Sequence, residues 1–416
     1  MRDPRDPRDP RDRRDPRDPR DPRHQGGALR SNPLIIVFGA GAFGGWTALE
    51  LVRRGARVRL LDPWGAGNAR ASSGGETRVI RATYGSHEIY TSMAARALAL
   101  WREHDERFKQ QLMLTTGALW MFQRDDPFIH ASSRALLARG LKLDEVPLAD
   151  ARRLYPQIDF SGVERVLVEP EAGVLFARRA CEHVASCVVA EGGTHEAVAA
   201  SFPVILDGPV RSLRLADGSE AAADAFVFAC GPWMGSVFPD VIGDLVTATR
   251  QEVYYFGTPA GEESFTADRF PVWLEFGERF LYGIPDTGGA GFKAADDTPG
   301  PPIDPTTDPR APTKASVRDM SAFIARRFPA LEGAPLVRAE VCQYESTPDS
   351  NFIIDRHPRA PNVWIVGGGS GHGFKMGPVL GERVASLVLG QSKVEPAFGL
   401  ERFNSPPAGG WKRKWS

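Results

Sequence analysis

The segment Gly39-Ala40-Gly41-Ala42-Phe43-Gly44 constrains this chain more than any other, because three glycines at this spacing suit a backbone that turns sharply and then packs closely. Leu34-Ile35-Ile36-Val37-Phe38 precedes it, a short unbroken apolar run of the kind expected of a strand buried on both faces. After it, Trp46 to Arg54 reads as a helix, with Leu49 and Val52 on its inner face and Gly55 as its stop. Val58-Arg59-Leu60-Leu61 is a second strand, and Asp62 ends it. Together these parts make a βαβ unit with the glycine turn and the acidic residue in their expected places. In such a unit Gly39 permits the tight turn, Gly41 lets the backbone approach a pyrophosphate, and Gly44 lets helix and strand pack closely. The helix N-terminus then faces the phosphate charge. Asp62 accepts hydrogen bonds from the adenosine ribose hydroxyls. A glycine-rich turn in an unrelated α/β protein meets fewer of these conditions. The fingerprint alone does not separate NAD from FAD.

The rest of the chain is organised around that unit. Its 416 residues suffice for two domains and a large core. Residues 1–30 carry an Arg-Asp-Pro repeat, broken at Arg13-Arg14, and read as a disordered tail without chemistry, since proline at every third position blocks helix and nothing there can form a core. Tyr90 to Phe108 and Phe176 to Ala190 read as helices, Val166 to Val168 and Ala225 to Ala229 as strands. From about 246 to 342 the chain is aromatic and rich in Pro and Gly. Strand-like pieces at Glu252 to Phe256 and Arg279 to Gly283 suggest an antiparallel sheet there, and Pro299 to Pro312 a surface loop. Val363 to Val366, the loop Gly367 to Gly373 and a helix bearing Val379, Leu380, Val384, Leu387 and Val388 repeat the strand, glycine loop, helix order. The expected fold is therefore α/β. A Rossmann-type nucleotide domain (31–113, 172–245 and 343–395) is interleaved with an antiparallel-sheet α+β substrate domain (114–171 and 246–342), and 396–416 form a C-terminal tail.

Composition excludes several classes. A net charge of -1 argues against nucleic-acid partners and against a strongly membrane-attracted surface. No apolar run is long enough to span a bilayer, and no apolar segment follows the basic N-terminus before residue 34. The four cysteines, Cys181, Cys187, Cys230 and Cys342, form no CxxC pair and no zinc spacing, so a reduced cytoplasmic protein without a metal is expected.

Ser72-Ser73-Gly74-Gly75-Glu76-Thr77-Arg78-Val79-Ile80-Arg81 follows Asp62 by about ten residues. This segment resembles the monomeric sarcosine oxidase family of FAD-dependent amine oxidases, a group that includes N-methyltryptophan, pipecolate and fructosyl amino acid oxidases. The resemblance continues in order through Glu171 to Phe176, Tyr282-Gly283 with Gly288 to Lys293, Val341-Cys342-Gln343-Tyr344, Phe352 to Asp355 and Ser370-Gly371-His372-Gly373-Phe374-Lys375. Each motif alone is modest, and their combination in this order is specific.

What the resemblance implies is an oxidase of an amino acid C–N bond. A hydride equivalent passes to FAD, the imine hydrolyses, and dioxygen takes the electrons to give hydrogen peroxide. By resemblance Arg81 and Lys375 clamp the substrate carboxylate, a fork and a point charge. Lys375 follows a glycine loop at an expected helix start, where cations are not placed for helix stability. Cys342 falls where relatives carry a thioether to the flavin. Lys293 matches the lysine beside the flavin's reactive face, where a cation would stabilise developing charge on oxygen. Arg78 matches an arginine near that face and Thr77 a flavin contact. Phe43, Gly371, His372, Gly373 and Phe374 belong to flavin-contacting segments, and the following helix would point its positive end at the pyrimidine ring. Tyr282 and Tyr344 would line the pocket. The expected partners are a small amino acid and O2, with the protein a monomer or weak homo-oligomer.

Two positions depart from the family pattern. Ser73 and Gly74 stand where sarcosine-type members carry histidines, and Asp297 stands where a histidine follows the oxygen-side lysine by four residues. These changes spare the clamp but alter the pocket, and they point away from sarcosine. Asp297 could pair with a cationic or polyhydroxyl group on a larger amino acid, although Asp296-Asp297-Thr298-Pro299 is also a good solvated turn. A dehydrogenase using another electron acceptor and a flavin-binding protein without turnover are the alternatives.

Overall fold

The computed structural model describes residues 31–405, so the Arg-Asp-Pro repeat and residues 406–416 lie outside the described residues. Strand Leu34–Phe38 sends Ile35 and Val37 into one hydrophobic core and Ile36 and Phe38 into another. That is why an unbroken apolar run was needed: side chains alternate, and both faces are covered. It pairs in parallel with Arg57–Leu61 on one side and Ala225–Phe228 on the other. The full six-stranded sheet runs Ile353–His357, Ala360–Gly367, Ala225–Phe228, Leu34–Phe38, Arg57–Leu61, Thr194–Glu196, with only the first pair antiparallel. Helices Ala42–Arg53, Ala177–Ala190 and Gly377–Val388 contribute buried faces to the core on one side of it. Their packing is close: a Cβ on Gly381 would lie 2.6 Å from the Trp46 carbonyl oxygen.

An eight-stranded sheet forms the second layer system, in the order Leu336–Ser346, Thr247–Phe256, Phe292–Asp296, Phe280–Ile284, Val272–Phe276, Ala118–Phe122, Arg165–Glu169, Asp144–Glu145. Its neighbours are antiparallel except Val272–Phe276 against Ala118–Phe122. Helix Lys314–Arg327 packs Met320, Phe323 and Ile324 into the core shared with it. The sheets arise from interleaved chain segments, as the sequence suggests. Among the described residues, no helix is long and apolar enough to cross a membrane.

Several boundaries move. The first helix begins at Ala42, directly on the glycine turn, because Gly41 already takes the N-cap place. The last helix begins at Gly377, after a 3-10 turn at Phe374–Met376, so Lys375 precedes the helix proper. A division between 342 and 343 would cut strand Leu336–Ser346, which pairs with Thr247–Phe256 without a break through Cys342, Gln343 and Tyr344. The segment from 396 is packed as far as 405. Phe398 is fully buried against Phe352, the Leu400 N–H donates to Asp355 Oδ2 at 2.7 Å, and Arg402 pairs with Asp349 at 2.9 Å.

Candidate active site

The glycine turn is built as its spacing requires. Gly39 has φ +100°, and a Cβ there would sit 2.3 Å from the Ala229 carbonyl oxygen. At Gly44 a Cβ would fall 1.9 Å from the Gly39 carbonyl oxygen, so the helix can enter this closely only without a side chain. The same atom on Gly41 would meet only Ser73, with Oγ at 3.2 Å, and Gly41 borders a cavity of about 170 Å³. That channel runs past Phe43, Asp62, Ser72, Cys230 and Trp233 to Gly371, Gly373 and Phe374. Asp62 accepts the Ala40 N–H at 2.9 Å and the Trp64 N–H at 3.0 Å, so its carboxylate braces the turn as well as facing the channel. Burial raises its pKa.

Three buried polar atoms in the channel wall, Ser72 Oγ, Gln343 Oε1 and Glu345 Oε1, have no hydrogen-bond partner among the described residues. Buried polar atoms are normally satisfied, so their presence along a groove that starts at the glycine turn fits an elongated polar ligand. Burial lifts Glu345 to a pKa of about 8, which makes its carboxyl neutral at pH 7 and able to donate a hydrogen bond.

A second cavity, of about 270 Å³, adjoins the first and shares Arg78, Tyr344, Gly371 and Phe374 with it. Arg78, Arg81, Tyr282, Lys293, Asp297, Cys342, Tyr344, His372, Phe374 and Lys375 all border it, gathered from five separate stretches of chain. Strand alternation explains part of this grouping. On Leu336–Ser346, Ala339 to Cys342 line this chamber, and from there the strand alternates: Tyr344 borders it, while Gln343 and Glu345 line only the first cavity.

One end of the chamber is anchored on the Thr77 backbone. Lys293 Nζ donates to the Thr77 carbonyl at 2.9 Å, and Arg78 donates to the same carbonyl at 2.8 Å and to the Ser72 carbonyl at 2.7 Å. The Thr77 contribution here is its carbonyl, not its side chain. Lys293 is 2% exposed, and burial together with the Arg78 charge pulls its pKa down to about 7. The Arg78 nitrogen that donates to Ser72 also stands 3.6 Å from Cys342 Sγ.

Arg81 and Lys375, both buried, form a second cationic group. Lys375 Nζ donates to Tyr84 Oη at 3.1 Å and to the His372 carbonyl at 3.0 Å. Arg81 donates to the Thr83 carbonyl and lies over the rings of Tyr84 and Trp120, at 4.8 and 5.1 Å. Burial, with Arg81 adding to it, pushes Lys375 well below the ordinary lysine range, and Asp297 and Glu169 pull the other way. Glu169 is itself buried and accepts from the Ala82 N–H and the Thr83 hydroxyl. Asp297 is half-buried in the chamber wall and accepts from Tyr344 Oη at 2.6 Å, so the solvated-turn reading is set aside. Burial raises it to about 6. His372 is tied down: Nε2 meets the Ser350 carbonyl at 3.1 Å, Nδ1 faces Tyr84 Oη at 3.4 Å, and the ring stacks on Phe352.

A family model for FAD dependent oxidoreductases matches residues 35–387. The chain belongs to that family. Within these FAD-dependent oxidoreductases it is 30% identical to the monomeric sarcosine oxidase of Bacillus sp. (strain B-0618), over 89% of this chain and 96% of the relative. It is 27% identical to the peroxisomal sarcosine oxidase of Mus musculus, over 88% and 94% of the two chains. N-methyl-L-tryptophan oxidase of Salmonella heidelberg (strain SL476) is 25% identical over 89% and 97%. Among solved structures, L-proline dehydrogenase from P. horikoshii superposes with a TM-score of 0.78, at 22% identity over 90% of this chain and 99% of that one. Fructosamine oxidase (Amadoriase II) from Aspergillus fumigatus gives 0.75 at 23% identity, over 90% of each. These last two share the fold. The protein is thus a sarcosine oxidase-like flavoprotein, and FAD is the dinucleotide that the glycine fingerprint left open.

Sequence reasoning about this flavoprotein missed Tyr84, Glu169, Tyr255 and Glu345. Tyr84 links Lys375 to His372, and Tyr255 lies under both Lys293 (5.7 Å) and Arg338 (4.2 Å). Glu345 alone carried a usable signal, an acidic residue at an inward position of an otherwise half-buried strand.

Proposed function

We propose that this flavoenzyme oxidises the C–N bond of an N-substituted or cyclic α-amino acid, with O2 as electron acceptor. One observation carries the reading: Arg81 and Lys375 are buried together at one chamber, close enough that the charge of Arg81 depresses Lys375. Two desolvated basic groups at one chamber favour a bound anion, since burial and Arg81 outweigh Asp297 and Glu169 in setting the pKa of Lys375. A substrate carboxylate completes the balance, taken by the arginine fork and the lysine ammonium. Its capture fixes the α-carbon within the chamber.

Bound in the channel and chamber, FAD would supply the acceptor for a hydride equivalent and deliver its electrons to O2 as hydrogen peroxide. Gly39, Gly41, Gly44 and Asp62 would hold its adenine half, with Phe43, Gly371, Gly373 and Phe374 along the channel. Arg78, Lys293 and Cys342 would stand nearest the reacting half, and Cys342 would carry it covalently as a thioether. A cation at Lys293, drawn in by the Thr77 carbonyl, favours negative charge forming on oxygen. Tyr282, Tyr344 and Asp297 would form the specificity wall, which differs from a sarcosine site through the carboxylate at 297.

The test is anaerobic bleaching of the flavin by a panel of N-methyl, cyclic and glycated amino acids, followed by admission of air and assay of peroxide. Bleaching by at least one class, abolished in both Arg81→Met and Lys375→Met, is expected. Bleaching without peroxide would replace the oxidase reading with a dehydrogenase one. No bleaching by any amine, with FAD bound, would leave a non-catalytic flavoprotein. Acid precipitation tests Cys342 separately: a yellow pellet is expected, and a colourless pellet under a yellow supernatant would refute the thioether.

A further inference from the structure

We propose that His104, His183 and Cys187 form a metal site of zinc type that staples helix Glu88–Phe108 to helix Ala177–Ala190. His183 and Cys187 are four apart on one helix and therefore share a face. His104 comes from the other helix, and the three ligand atoms lie within 4.8 Å of one another. The spacing of the cysteines along the chain gave no hint of this, because one donor arrives from a helix some eighty residues away, a separation no short motif spans.

One pair of donors already stands at a metal-bound separation. Cys187 Sγ and His183 Nε2 are 3.4 Å apart. Zinc–sulfur and zinc–nitrogen bonds of about 2.3 and 2.0–2.1 Å at a tetrahedral angle put the two donors about 3.6 Å apart. The third residue has a nitrogen to spare: His104 Nε2 is buried with no hydrogen-bond partner among the described residues, on a residue only 5% exposed. An imidazole nitrogen sealed from water normally finds a partner. Trp46 packs edge-on to the His104 ring at 4.8 Å and fixes its plane.

The chemistry agrees. Burial, reinforced by His183, holds His104 at a pKa of about 3, and burial lowers His183 too, so both rings are neutral and carry a lone pair. Two imidazoles and a thiol suit a borderline-soft divalent ion, and the thiol gives up its proton when the ion binds. The charge balance is mixed. Arg53 and Arg107 lie near and oppose a cation, while Asp105 and Glu191 favour one. Glu191 follows Cys187 by one helical turn and pairs with Arg53 at 3.0 Å. Both Glu191 oxygens are held by Arg53, so water takes the fourth position. His183 is half-buried, which leaves the ion a way in. None of the three residues borders either cavity of the flavin site, so the role is structural.

The experiment uses the flavin-loaded full chain without an added affinity tag, stripped with EDTA and dialysed against Zn²⁺. The expected result is one zinc per chain with a Kd below about 1 µM, and a Tm that rises with zinc concentration. Cys187→Ser and His183→Gln should each weaken binding by about 100-fold or more, with the flavin spectrum retained. Co²⁺ in place of Zn²⁺ should give a thiolate-to-cobalt charge-transfer band, read as a difference spectrum and absent in Cys187→Ser. His183 is half-buried, so its variant keeps the test decisive if Cys187→Ser fails to fold. Failure of the parent protein to retain zinc at micromolar concentration would overturn the site, as would equal retention by either variant.

Discussion

Tyr84→Phe isolates one hydrogen bond in the proposed carboxylate clamp. As an ammonium, the form that an anion favours, Lys375 Nζ has three protons, and it spends two of them on Tyr84 Oη at 3.1 Å and the His372 carbonyl at 3.0 Å. The third points the ammonium at a ligand. Removing the Tyr84 hydroxyl deletes a hydrogen bond to a charged group, worth about 1.5–3 kcal/mol in general. The loss should fall at the lower end here, since Nζ keeps the His372 carbonyl and can turn toward the incoming anion. About 1.4 kcal/mol is a tenfold change in affinity. The expected outcome is therefore a roughly tenfold rise in Kd for an unreactive carboxylate such as benzoate, followed as a perturbation of the flavin absorbance, with FAD content and Tm close to those of the parent. Lys375→Met should raise it further and Tyr84→Phe should add little to that variant, because the two act on one group. A Kd for Tyr84→Phe within twofold of the parent, alongside a strong Lys375→Met effect, would show that the His372 carbonyl alone aims the ammonium.

Other perturbations follow from the same geometry. Gly44→Ala places a Cβ 1.9 Å from the Gly39 carbonyl oxygen, so the helix must back away; loss of FAD binding and a Tm drop equivalent to about 2–4 kcal/mol are expected in calorimetry. Lys293 has a pKa near 7, so its charge is present below that pH and lost above it; the second-order constant for flavin reoxidation by O2 should fall roughly tenfold between pH 6 and 8, and Lys293→Met should be slow and flat across the same range in stopped flow. Glu345 is raised to about 8 in the folded protein from the ordinary 4.5, so the fold holds its proton more tightly than the unfolded chain does; stability is fullest below about pH 4.5 and declines as pH climbs to about 8, and Glu345→Gln should flatten that decline in thermal melts. Asp297→Asn should reorder the substrate panel and remove any inflection near pH 6 in substrate binding, whereas an unchanged ranking would return the residue to a purely packing role.

The difference between what could and could not be read from the chain is one of range. The glycine turn is a local object: Gly39, Gly44 and strand Leu34–Phe38 are forced by contacts within one βαβ unit and its partner at Ala229, so spacing and residue type suffice. The helix starts shifted for an equally local reason, since glycine at 41 and the 3-10 turn at Phe374–Met376 are end effects that periodicity does not register. The cationic residues are another matter. Arg81, Lys293 and Lys375 each look like surface charges in isolation, and only the ordered set of motifs marks them for burial. The partners that make burial tolerable are not marked at all. Glu169 reaches Thr83 from the end of a strand of the eight-stranded sheet, Tyr84 reaches Lys375 across the sequence, and Asp297 finds Tyr344 on a strand from another part of the sheet. Their residue types are ordinary for strands and turns, and their task exists only once the sheets are assembled. The same holds for His104, whose missing partner is visible only in three dimensions. Buried charge has to be compensated wherever the fold collects it, so the compensating residues are set by topology, and a site of this kind is recognised by its catalytic residues but tuned by the others.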